Sequence, residues 1–110
     1  MAKPAILTVA DTLPASFLLA VETRGGAPAM REKTLGIWKT ITWNDWLERA
    51  REIAYALDAI GFRPGEVASV LANTVPEWNY ADMGILCVGG ISSGIYPTDS
   101  VKQVEYLIND

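Results

Sequence analysis

Histidine is absent from this 110-residue chain, and cysteine occurs once, at Cys87. The absence of histidine removes the most common general base and the most common metal ligand of proteins. A single thiol cannot form an intrachain disulfide or a cysteine-rich zinc site. Most enzyme chemistries that depend on these side chains are therefore excluded for this chain.

Positive charge and long apolar runs are also scarce. Nine basic residues against thirteen acidic ones give a net charge of −4, which argues against a nucleic-acid partner. The longest uncharged apolar run, Met83–Ile91, is too short for a transmembrane segment. Asp11 and Pro14 interrupt the N-terminal run before it resembles a signal peptide. These features favour a cytoplasmic protein.

The residues that are present predict an α/β fold. Half of the chain is hydrophobic, and the length suits one domain. Thr12 is placed to cap a first helix, with Pro14 in its first turn and Gly25-Gly26 after its end. Its apolar stripe at a spacing of four residues is Leu13, Phe17 and Val21.

Residues 28–61 are predicted to form a β-hairpin followed by a helix. Pro28–Thr42 reads as two strands around a turn, with the charged residues 31–33 near that turn. Thr42 and Asp45 have the spacing of a capping box, and Gly61 suits the end of the helix. Ion pairs Asp45–Arg49 and Glu48–Arg51 are expected on its outer face. The apolar face comprises Trp43, Trp46, Leu47, Ala50, Ile53, Ala54, Leu57 and Ile60.

Residues 66–110 are predicted to form a parallel βαβα unit. Val67–Ala72 and Ile91–Tyr96 are short apolar runs typical of buried parallel strands. A helix from Pro76 to about Gly89 connects them, and Ser100 with Gln103 has the capping-box spacing for a last helix. A right-handed βαβ unit is the expected connection. Because two such strands are covered only inside a wider sheet, the sequence reads like part of a larger α/β domain.

Three polar or aromatic residues follow the two predicted strands and are the candidate ligand-side residues. Asn73 follows the first strand, and Tyr96 and Thr98 flank Pro97 after the second. Ligands of open α/β sheets bind at the carboxyl ends of the strands. The structural alternatives, favoured at this level, are a turn or capping role for Asn73 and packing for Tyr96.

Other chemically suggestive features have simpler interpretations. The glycine-rich stretch Gly89–Gly94 follows a helix and lacks phosphate-loop spacing, so a helix stop with close packing is favoured. Asp45 and Glu48 lie on a solvated face, which argues against acid–base chemistry. Cys87 lies on a predicted buried helix without a neighbouring cation, so an inert thiol is expected. Core packing rather than base stacking is expected of the four tryptophans, Trp38, Trp43, Trp46 and Trp78.

An ordered set of short motifs carries a family resemblance. The motifs are Trp38-Lys-Thr-Ile-Thr42, Gly61-Phe-Arg-Pro-Gly65-Glu-Val67, Asn73-Thr-Val-Pro-Glu-Trp78, Gly89-Gly90, Tyr96-Pro-Thr98 and Val104-Glu-Tyr-Leu-Ile-Asn-Asp110. With them the chain resembles the N-terminal end of the AMP-binding, adenylate-forming superfamily, and most closely bacterial long-chain acyl-CoA synthetases. The resemblance implies that residues 1–110 form the N-terminal part of the large adenylate-forming domain.

The resemblance also implies a reaction that this chain alone does not perform. In that family, ATP and a carboxylate give an acyl-adenylate and pyrophosphate, and the thiol of coenzyme A then displaces AMP to form the thioester. The family's phosphate loop, adenine-binding segment and catalytic lysine lie downstream of the matched motifs. The resemblance therefore assigns no catalytic, cofactor-binding or metal-binding residue here, and ATP, Mg²⁺ and coenzyme A are expected only of the longer enzyme.

Two alternatives to the fatty acid–CoA ligase interpretation stay open. The chain could be a stand-alone, non-catalytic module that binds a protein partner or an acyl chain. It could also belong to an adenylate-forming enzyme that acts on another carboxylic acid. Because the predicted sheet has open edges, self-association or association with the remainder of the enzyme is expected.

Overall fold

The computed structural model describes residues 11–110, an α/β arrangement of four helices and two small sheets. The N-terminal segment that was compared with a signal peptide lies largely outside the described residues. Strands β1 and β2 pair antiparallel, and β3 and β4 pair parallel in a separate sheet. The elements in chain order are α1 Leu13–Arg24, β1 Pro28–Thr34, β2 Ile37–Thr42, α2 Trp43–Ala59, β3 Val67–Leu71, α3 Pro76–Cys87, β4 Ile91–Ile95 and α4 Val101–Asn109.

Helices α1, α2 and α4 begin at the capping residues that the sequence predicts. Thr12 caps α1 by accepting a hydrogen bond from the backbone N–H of Ala15. The capping box that opens α2 is complete: Asp45 N donates to Thr42 Oγ1 at 3.1 Å, and Thr42 N donates to Asp45 Oδ2 at 3.0 Å. Ser100 and Gln103 form the same reciprocal pair at α4. These predictions are confirmed because caps depend on residues only three positions apart.

The β-hairpin is joined by a two-residue turn, Leu35-Gly36, in which both residues have positive φ angles of 52° and 78°. Such a turn is typical of the mirror-image type that matches the twist of hairpin strands. The charged residues 31–33, expected near the turn, are paired residues of β1, since that strand continues to Thr34. The turn itself therefore consists of an apolar residue and a glycine.

The core lies where α1, α2 and α3 meet. Its buried members are Phe17, Val21, Ala50 and Met83, and the partly buried Trp43, Trp46, Leu47 and Leu86 pack against them. The rings of Phe17 and Trp46 meet edge to face at 4.8 Å between centroids, and Trp46 stacks on Trp43 at 5.4 Å. Core packing is thus confirmed for two of the four tryptophans.

Some residues predicted to lie on buried faces are exposed. Leu13 opens α1 and Ile60 follows the end of α2, so both lie beyond the region where the helices contact each other. The outward side of the parallel sheet also exposes Val67, Leu71 and Ile91. Helix α4 has no buried residue, although one of its faces is apolar. The expectation that the βαβα unit leaves apolar surface bare is confirmed.

No helix within residues 11–110 combines the length and the apolar character that crossing a membrane requires.

Candidate functional site

The candidate site lies at the carboxyl ends of β3 and β4. The parallel register pairs Leu71 with Ile95, so the residues that follow both strands meet at the same edge of the sheet. Asn73, Tyr96 and Thr98 all line one open cleft there, with a volume of about 660 Å³. The structure therefore brings together the three residues that the sequence singles out.

The first turn of α3 forms another wall of the cleft and contributes Trp78, which sequence reasoning assigned to the core. Trp78 is only half-buried, and its indole lines the opening. The position of Trp78 could have been predicted from Pro76, which marks the first position of α3. Because α3 begins at the edge of the sheet where β3 ends, its first turn lies beside that edge. Opposite the indole, a Cβ built on Gly94 would lie 3.5 Å from Trp78 Cζ2, so the glycine leaves the cleft open.

The two structural alternatives for the candidate residues have different outcomes. Tyr96 is 75% exposed, so the interpretation of it as a packed aromatic is wrong. Asn73 does take part in a turn, since its carbonyl oxygen accepts a hydrogen bond from Val75 N at 2.9 Å. That contact uses the backbone only.

The chemistry of the cleft is neutral. None of its lining residues is charged, and they supply amide and hydroxyl groups, two aromatic rings and aliphatic carbon. An arrangement without a carboxylate, lysine or arginine side chain has no charge with which to neutralise phosphate. It suits an uncharged or largely apolar ligand, and the volume lies in the usual range of ligand pockets.

Asn79 connects the cleft to the rest of the molecule. Its backbone carbonyl accepts a hydrogen bond from Trp46 Nε1 at 3.2 Å, and its side-chain amide lies 3.3 Å from Met30 Sδ. Asn79 also lines the cleft. The wall formed by α3 is thereby fixed to α2 and to the hairpin.

Asp45 and Glu48 are the two carboxylates on α2 for which the sequence argues against acid–base chemistry. Asp45 is exposed, and the hydrogen bonds from the backbone and side chain of Thr42 lower its pKa from the ordinary value of 3.8. Glu48 is exposed as well. The expected pair of Asp45 with Arg49 is wrong, because Arg49 instead pairs with Glu52 at 2.9 Å. The described residues also show no ion pair between Glu48 and Arg51. The interpretation of Asp45 as a capping residue is confirmed.

Cys87 is exposed, which corrects the expectation that it is buried. It ends α3 on a side that no other described element covers fully. Partial desolvation still raises the pKa of its thiol above the ordinary value of 9.0. The thiol therefore stays protonated at neutral pH, as an unreactive cysteine does.

The glycine-rich stretch packs closely, as the sequence predicts. Gly89 has a φ angle of 79° just after α3 ends, and its amide donates to Leu86 O. A Cβ built on Gly90 would lie 2.6 Å from Cε1 of Phe62. The stretch is thus a helix stop at a tight contact with the Phe62 ring.

Trp38 departs from the prediction of core packing. Its side chain is 64% exposed on β2, and the ammonium group of Lys33 lies 5.8 Å from the ring centroid. Trp38 and Lys33 are direct cross-strand partners in the hairpin register. Its exposure follows from its position near the hairpin turn, where no helix packs against it.

Within residues 11–110, no group of three or more histidine, cysteine, aspartate or glutamate side chains is arranged to hold a metal ion. The cleft also lacks charged residues for the phosphates of ATP or of coenzyme A. The lining of the cleft therefore does not fit these phosphate groups.

Comparison with known proteins gives consistent similarities. Residues 17–110 match the family model described as AMP-binding enzyme. The long-chain-fatty-acid–CoA ligase heimdall of Drosophila melanogaster is 30% identical over 102 residues, covering 89% of this chain and 15% of the relative. The 4-coumarate–CoA ligase-like 1 of Arabidopsis thaliana is 33% identical over 94 residues, covering 86% of this chain and 17% of the relative.

Solved structures show the same fold. A fatty acid AMP ligase from Legionella pneumophila superposes with a TM-score of 0.82 at 22% identity, covering 98% of this chain and 19% of that one. The N-terminal subdomain of NpsA from Klebsiella oxytoca gives 0.80 at 12% identity, covering 88% of this chain and 24% of that one. The chain spans only about 15% of the length of the first curated relative.

Proposed function

The chain belongs to the AMP-binding enzyme family, and on this basis we propose that it forms the N-terminal part of the large domain of an ATP-dependent long-chain fatty acid–CoA ligase. The match over residues 17–110 carries this proposal. Similarity to the NpsA N-terminal subdomain supports the placement within the domain. The relative named a long-chain-fatty-acid–CoA ligase supports the substrate class.

The proposed reaction activates a carboxylate that is otherwise a poor electrophile. Attack of the carboxylate on the α-phosphate of ATP releases pyrophosphate and gives an acyl-adenylate. The thiol of coenzyme A then attacks the acyl carbon, and AMP leaves. Because the cleft has no charged side chain for the phosphates of these reactants, the contribution proposed for this chain is a structural part of the domain and a surface for the apolar part of the ligand.

The native protein that contains this sequence provides the test of activity. Incubated with ATP, Mg²⁺, coenzyme A and palmitate, it should form palmitoyl-CoA and one AMP per thioester, with no product when ATP or coenzyme A is omitted. Formation of AMP with 4-coumarate but not palmitate would assign another carboxylic acid. No AMP with any acid would overturn the proposal and favour a non-catalytic module.

For the cleft, we propose that Asn73, Tyr96 and Thr98, together with Trp78, face the hydrocarbon part of the ligand. The neutral lining and the half-buried indole support this role. The acid specificity of the whole protein is a separate question, since the chain covers a small part of its relatives.

Gly94 allows the cleft to be tested without changing its chemistry. Gly94→Leu fills the space before the Trp78 indole, whereas Gly94→Ala places a methyl group at ordinary contact distance. We expect the leucine variant to weaken binding of a fluorescent fatty acid and the alanine variant to retain it. Equal binding by both variants would show that the ligand does not occupy the cleft.

The same titration tests the alternative that the chain is a stand-alone acyl-binding module, because that alternative requires tight fatty-acid binding by the 110-residue chain.

We propose that the bare side of the parallel sheet is covered by a further segment of the same enzyme or by a second copy of this chain. Exposed Val67, Leu71 and Ile91 supply the apolar contact. Sedimentation of the 110-residue chain should therefore show self-association, and a folded species that stays monomeric at high concentration would contradict it. We also propose a cytoplasmic location and a role in fatty acid metabolism, in keeping with the proposed substrates.

A further inference from the structure

The tip of the β-hairpin presents apolar side chains to solvent. Leu35 is 97% exposed, and its neighbours after the turn, Ile37 and Trp38, are 67% and 64% exposed. These residues lie at the turn between β1 and β2 and project from it. The bare side of the parallel sheet is, in contrast, a flat surface. We call Leu35–Trp38 the hairpin tip.

The conformation of Leu35 makes its presence unexpected. Its φ angle is 52°, in the left-handed region that glycine, asparagine and aspartate favour in this turn type. Leucine is sterically disfavoured there, and full exposure of its side chain to water is a second cost. Asparagine at this position would relieve both. Because Leu35 is unfavourable in both backbone conformation and solvation, a function of its exposed side chain would explain why leucine occupies this position.

The outward face of the hairpin is cationic. Alternation along the paired strands places Arg31, Lys33, Trp38 and Thr40 on one exposed face. Glu32 lies on the opposite face, directly across from Lys39. A chain with a net charge of −4 thus carries a face with two cations and no acid beside the apolar tip.

We propose that the hairpin tip docks on an anionic phospholipid surface. Leu35 enters the boundary between headgroups and acyl chains, and the Trp38 indole lies at headgroup depth, where tryptophan is favoured. Arg31 and Lys33 contact lipid phosphates. The Lys33 ammonium group above the Trp38 ring holds both side chains on the same side. This combination of apolar tip, interfacial aromatic and cations favours a membrane surface over an acidic protein, which offers no apolar layer of that depth.

The test is co-sedimentation of the 110-residue chain with phosphatidylcholine vesicles, with and without phosphatidylglycerol. We expect binding to the anionic vesicles that decreases with added salt. Leu35→Asn should reduce the partition coefficient at least about tenfold, the effect of losing one buried leucine. The variant suits the turn and should fold, which circular dichroism checks. Ile108→Asn on α4, also an exposed apolar position, should bind like the unmodified chain.

The cationic contacts are tested separately. Arg31→Gln and Lys33→Gln should each reduce binding to anionic vesicles about fivefold and leave the weak binding to neutral vesicles unchanged. Lack of binding by the unmodified chain, or equal binding by Leu35→Asn, would overturn the proposal. Competition by soluble polyglutamate with no dependence on Leu35 would also overturn it, and would indicate an acidic protein as the partner.

Discussion

Gly84 of α3 lies directly against Ile53 of α2: a Cβ built on Gly84 would be 2.7 Å from Ile53 Cγ2 and 3.0 Å from the carbonyl oxygen of Ala50. Neither group is the free end of a flexible side chain, so the two helices would have to separate to admit a methyl group. This close contact fixes α3, and through its first turn it positions Trp78 at the cleft.

We therefore expect Gly84→Ala to lower the free energy of unfolding by about 1–3 kcal/mol, the usual cost of overpacking. Urea denaturation followed by circular dichroism measures the change. Gly26→Ala is the control, because nothing lies within 4 Å of a Cβ at that position. If both variants unfold at the same urea concentration, the helices are not in the close contact described here.

Thr42 ends β2 and caps α2, so its side chain stabilises the junction between hairpin and helix. Thr42→Ala should lower the free energy of unfolding by about 1 kcal/mol, because the N–H of Asp45 loses its acceptor. Thr42→Ser retains the hydroxyl and should recover most of that stability. A serine variant as unstable as the alanine variant would show that the methyl group, rather than the cap, matters.

Asp45 makes the same junction pH-dependent. Hydrogen bonds from Thr42 lower its pKa in the folded state below the ordinary value of 3.8. Its contribution to stability is therefore complete above that value and is lost as the pH falls through the lower, folded-state pKa. Urea midpoints should decrease more steeply in acid for the unmodified chain than for Asp45→Asn. Parallel pH profiles for the two proteins would contradict this assignment.

Cys87 is exposed, but its thiol has a raised pKa because of partial desolvation. Its alkylation by iodoacetamide should be slower than that of a small free thiol at pH 8, since the thiolate fraction is lower. The rate should continue to rise above pH 9. A rate that reaches its plateau near neutral pH would indicate an activated cysteine and would reopen a chemical role for this residue.

Much of the fold could be predicted because its signals are local. The capping boxes at Thr42 and Ser100 involve residues three positions apart, and the parallel strand pair follows from two apolar runs around one helix. The same topology predicted that Asn73 would lie close to Tyr96, since carboxyl ends of neighbouring parallel strands share an edge.

The predictions that failed depend on what covers a residue in space. Trp38 and Cys87 lie at apolar positions of a strand and a helix, yet no other described element packs over them. Trp78 has helical spacing typical of a core residue, but its place in the first turn of α3 directs it to the cleft. None of these environments is encoded in the spacing of neighbouring residues.

The central claim is that this chain is the N-terminal part of a larger adenylate-forming ligase. The most direct test is the intact mass and peptide map of the native protein that carries this sequence. We predict a mass several times the 12.0 kDa of this chain and, downstream of Asp110, a loop rich in serine, threonine and glycine that ends in Pro-Lys. A native 12.0 kDa protein that has no associated chain bearing such a loop would contradict the account.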